Sequence, residues 1–272
     1  MFLPKMALAA LIALPLALLG EGRAAAADAH LEQTIRSSRF IFAGTFETLG
    51  ASNLSLLPAS EQTALVRVRE VIDQPPVFGH IRGALVTVQL ASPAGAVEGG
   101  QAIFFTNGML YGEHLAVSEV GRDPGQSGVA EAAAVSQVRR DVAEVRRHEA
   151  DEALSVRLAS AVAVVSGRIG VTRSMREAER GEEARGEHSA SWVYATLTVD
   201  ATLKGKPAAG VYFAEDADSF WAMAPKLASG QEGIFLLQRP VDGDVPAGAY
   251  IVVNPLDVLT KDQLARVRGL LK

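Results

Sequence analysis

Apolar and polar positions run along the chain in two parallel series. "SSRFIFAGTFE" begins at Ser37 and "ASAVAVVSGRI" at Ala159, and each is apolar on both faces up to a glycine. That is the pattern of a strand covered on both sides. Just before each run, Leu31 with Ile35, and Leu154 with Leu158, stand at the i, i+4 spacing of a short helix. With Leu31 set against Leu154, Ser37 meets Ser160, Ile41 meets Val164, Gly44 meets Gly167 and Phe46 meets Ile169. "TALVRVREVI" and "YATLTVDATL" then alternate apolar with polar, as half-buried strands do. "GALVTVQLA" from Gly83 is followed in the same order as "AGVYFAED" from Ala209. "EGGQAIFFTN" matches "ASGQEGIFLLQ", and "HLAVSEV" and "AYIVVNPL" supply a last strand each. "SQVRRDV" from Ser136 resembles "DQLARVR" from Asp262 as a closing helix.

The pattern predicts a duplication, with each copy built as helix, five strands, helix. The fold class is mainly β with flanking helices. Five strands with a glycine inside the first suit two tandem five-stranded OB-like barrels, the first strand bending to serve both sides of its barrel. Gly44 and Gly167 permit that bend without a Cβ clash, with a positive φ as the expected backbone signature. Two small β-sandwiches are the alternative. The predicted organisation is a signal peptide over 1–27, repeat 1 over 28–129, and a helical segment over 130–153 that closes repeat 1 and links. Repeat 2 with its C-terminal helix covers 154–272. In the linking segment Val135, Val138, Val142 and Val145 form a stripe at helical spacing. It ends after about two heptads, too few for a coiled coil, and predicts a helix packed on its own barrel. Arg140 with Glu144, and Arg147 with Asp151, are spaced as i, i+4 pairs.

"VSGRI", "YATLTVDATLKGKP" and "LASGQEGIFLL" resemble the netrin/TIMP-like OB-fold domains. Those domains carry a glycine in strand one, a second strand closing on Lys-Gly, and a glycine shortly before an aliphatic-aromatic fourth strand. The matching positions are Gly167, Lys204, Gly205, Gly230 and Phe235. The first copy keeps Gly44, Gly99 and Phe104 but has Asp73-Gln74 in place of Lys-Gly. The resemblance implies OB barrels. It does not carry protease inhibition, because TIMP-type inhibition uses an N-terminal cysteine and the chain has no cysteine.

Composition narrows the classes further. Lys5, an apolar run from Met6 to Leu19 and Ala25-Ala26-Ala27 read as the three regions of an export signal. As a helix the run would rise about 21 Å, short of the roughly 30 Å hydrocarbon core. An exported, periplasmic or extracellular protein is expected, without stable membrane insertion after cleavage. A formal net charge of −5 argues against a nucleic-acid partner. Without cysteine, thiol catalysis, thiolate metal sites and disulfides are excluded.

Candidate chemistry is sparse. His30, His80, His114, His148 and His188 form no close ligand pair, and "HEADE" at His148 lacks the second histidine of a zincin helix. "GQSG" at Gly125 falls short of a nucleophile elbow, and "NLS" at Asn53 fits a glycosylation sequon. No catalytic residue, metal ligand or cofactor is assigned. The copies differ most in two loops of the second. "RSMREAERGEEARGEH" is dense in both charges and includes Arg176 and Arg180. "EDADSFWAMAPK" sets Asp216 and Asp218 beside Phe220 and Trp221. A shared scaffold alone cannot give each copy its own ligand, so binding is expected on these differing parts. Trp221 is the expected anchor, with Phe220, Asp216, Asp218, Arg176 and Arg180 around it. The expected function is a non-catalytic binding or interaction protein that engages a protein or glycan partner through barrel loops. The alternatives are an envelope structural spacer, or a hydrolase with its site between the barrels.

Overall fold

The computed structural model describes residues 28–112, 114–125, 129–175, 190–206, 209–215, 221–240 and 245–272. The chain divides between Arg147 and His148 into two compact units.

In the first unit, helix α1 (28–36) leads into strands β1 (Phe40–Leu49), β2 (Thr63–Asp73), β3 (Leu85–Gln89), β4 (Gln101–Tyr111) and β5 (Leu115–Pro124). They close into a barrel in the order β1-β2-β3-β5-β4, with β3 and β5 parallel. Closure removes free sheet edges. Alternation along the strands turns Phe40, Phe42, Phe46, Val66, Val86, Val88 and Phe104 into the barrel, all buried. Phe42 stacks on Phe40 (4.6 Å between ring centroids) and on Phe104 (5.1 Å).

The opposite face of β1 and β4 is apolar too, because helices cover it. Helix α2 (Val129–Ser160) lays Val135, Val138, Val142 and Val145 with Ile35 against Ile41, Ala43, Ile103 and Phe105. The valine stripe therefore packs on its own barrel, as its spacing predicts. The predicted charge pairs on this helix are exchanged for others. Arg140 bonds Gln137, Arg147 pairs with Glu144 (3.8 Å), and Asp151 is taken by Arg266 (2.6 Å).

In the second unit the last turns of α2 precede β6 (Ala163–Ser174), β7 (Trp192–Lys204), β8 (Gly210–Ala214), β9 (Glu232–Leu237), β10 (Ile251–Val252) and β11 (Val258–Leu259), and α3 (Leu264–Leu270) ends the unit. The sheet order is β10-β8-β7-β6-β9-β11. Leu154, Leu158, Val164, Ile234, Leu236 and Val267 repeat the helix-covered layer of the first unit, and Ala163, Val165, Ile169, Val211, Phe213 and Phe235 repeat its interior.

The repeat holds at the level of register. Against β2, Gly44 faces Val68 and Phe46 faces Val66; against β7, Gly167 faces Val199 and Ile169 faces Leu197. Register shifts fall at Ile41/Phe42 and Ala43/Gly44 in one copy and at Val164/Val165 and Ser166/Gly167 in the other. Gly99 and Gly230 both take positive φ (77° and 83°), and their N–H groups donate to Phe46 O and Ile169 O at 2.8 Å.

Two expectations are corrected. Gly44 and Gly167 do not have positive φ. They are required by close approach instead: a Cβ at Gly44 would lie 2.6 Å from Val66 Cγ1, and one at Gly167 would lie 2.3 Å from Thr198 O. The second copy also departs from a closed five-stranded barrel. Where β5 runs for ten residues, Pro255 opens a short 3-10 turn, Pro255–Asp257, that splits the last strand into β10 and β11. Proline has no N–H for a ladder. Among the described residues an isolated bridge, Gln238–Ile251, takes the place of a β9–β10 ladder, and the sheet curls into a half-barrel.

Candidate functional site

The interiors of the two copies differ in a way that shapes their surfaces. Phe40, Phe42 and Phe46 in the first copy give way to Ala163, Val165 and Ile169. In the second copy Phe213 and Phe235 stay inside, and the tryptophans and two tyrosines stand outside. Alternation in "WVYATL" sends Val193, Ala195 and Leu197 inward and Trp192 and Tyr194 outward. In "VYFA" the same period sends Val211 and Phe213 inward and Tyr212 outward.

These rings form one cluster with Met175, Ala190, Ala224, Val245 and Ile251. Trp221 is half-buried and meets Trp192 edge-on, with centroids 5.5 Å apart at 66°. Tyr194 and Tyr212 lie 5.1 Å apart, and the Arg173 guanidinium sits 4.8 Å over Tyr194. Lys226 Nζ donates to Ala214 O (2.6 Å) and Trp221 O (3.1 Å), which fixes the turn carrying Trp221 to the end of β8. Trp192 is only 6% exposed, and among the described residues its buried indole Nε1–H has no hydrogen-bond partner. Met223, two residues beyond Trp221, is 74% exposed.

The cluster marks the place from which both sequence-nominated loops depart. Ser174 pairs with Val193, and Met175 N–H donates to Trp192 O at 2.9 Å. Trp192 pairs with Ala214, and Glu215 N–H donates to Ser191 O at 2.9 Å. The end of β6, the start of β7 and the end of β8 are therefore adjacent, and the two loops begin side by side. Of the nominated residues, Trp221 lies in this cluster. Phe220, Asp216, Asp218, Arg176 and Arg180 lie outside the described residues. Trp192, Tyr194 and Tyr212 are the members that sequence reasoning passed over, although the period-two alternation of β7 and β8 already separated them from the core.

Two of the remaining motifs have structural partners, and most of "GQSG", with His188, lies outside the described residues. Asn53 Nδ2 donates to Leu85 O (3.1 Å) and Asn53 Oδ1 accepts from Thr87 Oγ1 (2.6 Å), so the sequon amide is engaged. His148 Nδ1 lies 3.1 Å from Glu152 Oε1 on the helix surface. Among the described residues no group of three or more His, Cys, Asp or Glu side chains is placed to hold a metal ion, and no helix is long and apolar enough to cross a membrane. No protein-family model matches the chain, and no curated protein matches it.

Proposed function

We propose that the protein is an exported, non-catalytic binding module of two tandem OB-like copies, the first a closed barrel and the second a curled half-barrel. It engages a protein or glycan partner through the loops at the aromatic end of its second copy. The strand order β1-β2-β3-β5-β4 with one parallel pair supports the OB-like reading, together with the shared register and bulges of the two first strands. So does the netrin/TIMP-like glycine pattern, since Gly99 and Gly230 make the same turn before the fourth strand.

The observation that carries the functional reading is the adjacency of the end of β6, the start of β7 and the end of β8, the strand ends that flank the two copy-specific sequences, beside Trp192, Trp221, Tyr194 and Tyr212. Rigid aromatic side chains offer large contact area at little entropic cost, and Trp and Tyr dominate binding hot spots. The charged 176–189 loop would steer a partner to that anchor in a salt-sensitive way.

The test uses baits of the mature chain, of Trp221→Ala and of Met223→Asp, each exposed to the same envelope extract. Met223 is exposed, so its substitution perturbs the surface with little effect on folding. Circular dichroism and melting curves check that each bait is folded. A partner held by the parent should bind both variants at least about tenfold more weakly, the loss typical of an anchor residue. A partner that binds all three alike overturns the assignment.

A further inference from the structure

The shared register lets the outer face of one copy be laid on the other. Phe46 faces Val66 and Ile169 faces Leu197, so three residues earlier Thr63 corresponds to Tyr194. Thr63 faces Gln89, and Gln89 faces Ser118. In the same way Tyr194 faces Tyr212, and Tyr212 faces Ile251. Three adjacent polar positions of the first copy, Thr63, Gln89 and Ser118, are thus Tyr194, Tyr212 and Ile251 in the second. All lie on the outward side of their strands, since their neighbours Ala64, Val88 and Val117, and Ala195, Phe213 and Val252, turn inward.

The exchange gives the second copy a seat for a turn of its own chain. Residues 221–224 form a turn in which the Ala224 N–H donates to Trp221 O at 3.0 Å. Trp221 and Ala224 pack in one cluster with Trp192, Tyr194, Tyr212 and Ile251. Lys226 Nζ, bonded to Ala214 O and Trp221 O, fastens the turn to the end of β8. The two middle residues, Ala222 and Met223, face solvent, and Met223 is 74% exposed. A polar face has become an aromatic one, and what it holds in place is a turn with an apolar tip.

A surface fixed before its partner arrives loses less entropy on binding. The chemistry of the tip then selects the partner. Ala222 has no side-chain donor or acceptor, and Met223 has only a weakly accepting thioether. A glycan is held through its hydroxyls, which need fixed polar groups to replace their water. Among the described residues the cations beside the turn are already engaged. Arg173 lies over Tyr194 and donates from Nη1 to Ser174 O at 3.3 Å, and Lys226 holds its two carbonyls. Trp192 and Tyr212 are buried, so their ring faces are closed to a sugar. A flexible, polarisable thioether suits an irregular apolar pocket instead, and Met is enriched in protein interfaces.

We propose that this turn inserts Met223 into an apolar pocket of a partner protein, with the open part of Trp221 against the rim of that pocket. The inference rests on the loop-binding reading of the second copy and deepens it: the partner is a protein and not a glycan, and its contact is a pocket that accepts an unbranched apolar side chain. The aromatic seat serves the contact by holding the turn, while the tip makes it.

The test immobilises the whole chain and reads, by biolayer interferometry, what it retains from one envelope extract. The extract is applied untreated, after periodate oxidation of its glycans, and after digestion with a protease that is then inhibited. Retention should survive periodate and be lost on digestion. Met223→Leu should bind like the parent, and Met223→Gln, similar in length but polar, at least about tenfold more weakly. The position is exposed, and melting curves check that both variants are folded. The proposal is overturned if periodate removes the retained material, if digestion leaves it, or if the parent retains nothing. It is also overturned if Met223→Gln binds as tightly as Met223→Leu. The two levels fail differently. Material that resists digestion, is lost with periodate and still requires Trp221 leaves the loop-binding reading standing with a glycan as partner. Material that binds Trp221→Ala and Met223→Asp as well as the parent ends both.

Discussion

Single residues carry most of the symmetry between the copies and most of the departures from it. Gly44 and Gly167 were legible as strand-one glycines at a bend, but the reason for them was not. Their backbone conformation is ordinary, and the constraint comes from β2 and β7, whose atoms occupy the space of a Cβ. A single sequence does not show which neighbouring strand presses on a glycine. Glu119 on β5 has no such signature at all. Its side chain is 5% exposed, lies 3.3 Å from Arg122 and accepts from Ala91 N–H at 3.3 Å. Arg122 in turn reaches Ser92 O (3.3 Å) and Ala94 O (2.9 Å), tying the loop after β3 to the barrel wall. Burial pushes the Glu119 carboxyl above its usual value, and Arg122 and the Ala91 N–H only partly offset this. A carboxyl raised in the folded state holds its proton to higher pH there than in the unfolded chain. Between the two values the folded state binds more protons, so stability from this group falls as pH rises through that window. Urea melts across the range just above the ordinary glutamate value should show Glu119→Gln losing part of the wild-type downward slope. Identical slopes in the two proteins would remove the raised carboxyl from the account.

Among the elements, the fifth strand separates a closed barrel from a curled half-barrel. "AYIVVNPL" has the apolar composition of one strand, yet only Ile251 and Val252 join the sheet as β10 before the chain turns. Pro255 forbids the ladder hydrogen bond, and Asn254 caps the resulting turn by accepting from Leu256 N–H at 2.9 Å. Asp257 then enters the interior, fully buried. It accepts from Arg157 Nε (2.5 Å) and Nη2 (2.6 Å), and from the N–H groups of Val253 and Asn254 (2.9 Å each). Four donors saturate the carboxylate, and a bidentate arginine fixes the broken strand to the last turn of α2. Removing one partner would leave a buried charge alone, at a cost of about 3–5 kcal/mol. Arg157→Met should therefore destabilise the second unit by about that much in denaturant melts, and Asp257→Asn, which also loses the charge pairing, should come close to it. A loss under about 1 kcal/mol in both would mean the pair does not hold the turn. The proline was visible in the sequence. Its consequence was not, because the turn it opens is held by Arg157, a hundred residues away in the chain, and nothing in the sequence pairs Arg157 with Asp257. The helix-covered strands β1, β4, β6 and β9 were the most legible elements, since only a strand covered on both faces reads as a continuous apolar run.

At the scale of the whole molecule, the core clusters respect the boundary between Arg147 and His148. The barrel interior and helix-covered layer of the first unit draw only on residues before it, and the three clusters of the second only on residues after it. The packing that opposes unfolding is thus divided in two, although α2 runs unbroken across the division. The two tryptophans are Trp192 and Trp221, both in the second unit. Tryptophan fluorescence therefore reports the unfolding of the second unit, while calorimetry reports both. This gives a test that leaves the chain whole. Gly44→Val forces a branched side chain into Val66 and the Arg67 carbonyl, and Gly167→Val forces one into the Thr198 carbonyl. Overpacking of this kind costs about 1–3 kcal/mol, and a domain of this size shifts by roughly 4 °C per kcal/mol. Gly44→Val should lower one calorimetric transition by several degrees and leave the fluorescence midpoint unmoved. Gly167→Val should lower the fluorescence midpoint, with the other calorimetric transition unchanged. If Gly44→Val moves the fluorescence midpoint as far as the calorimetric one, the two copies unfold as one cooperative body, and the division of the core clusters does not divide the unfolding.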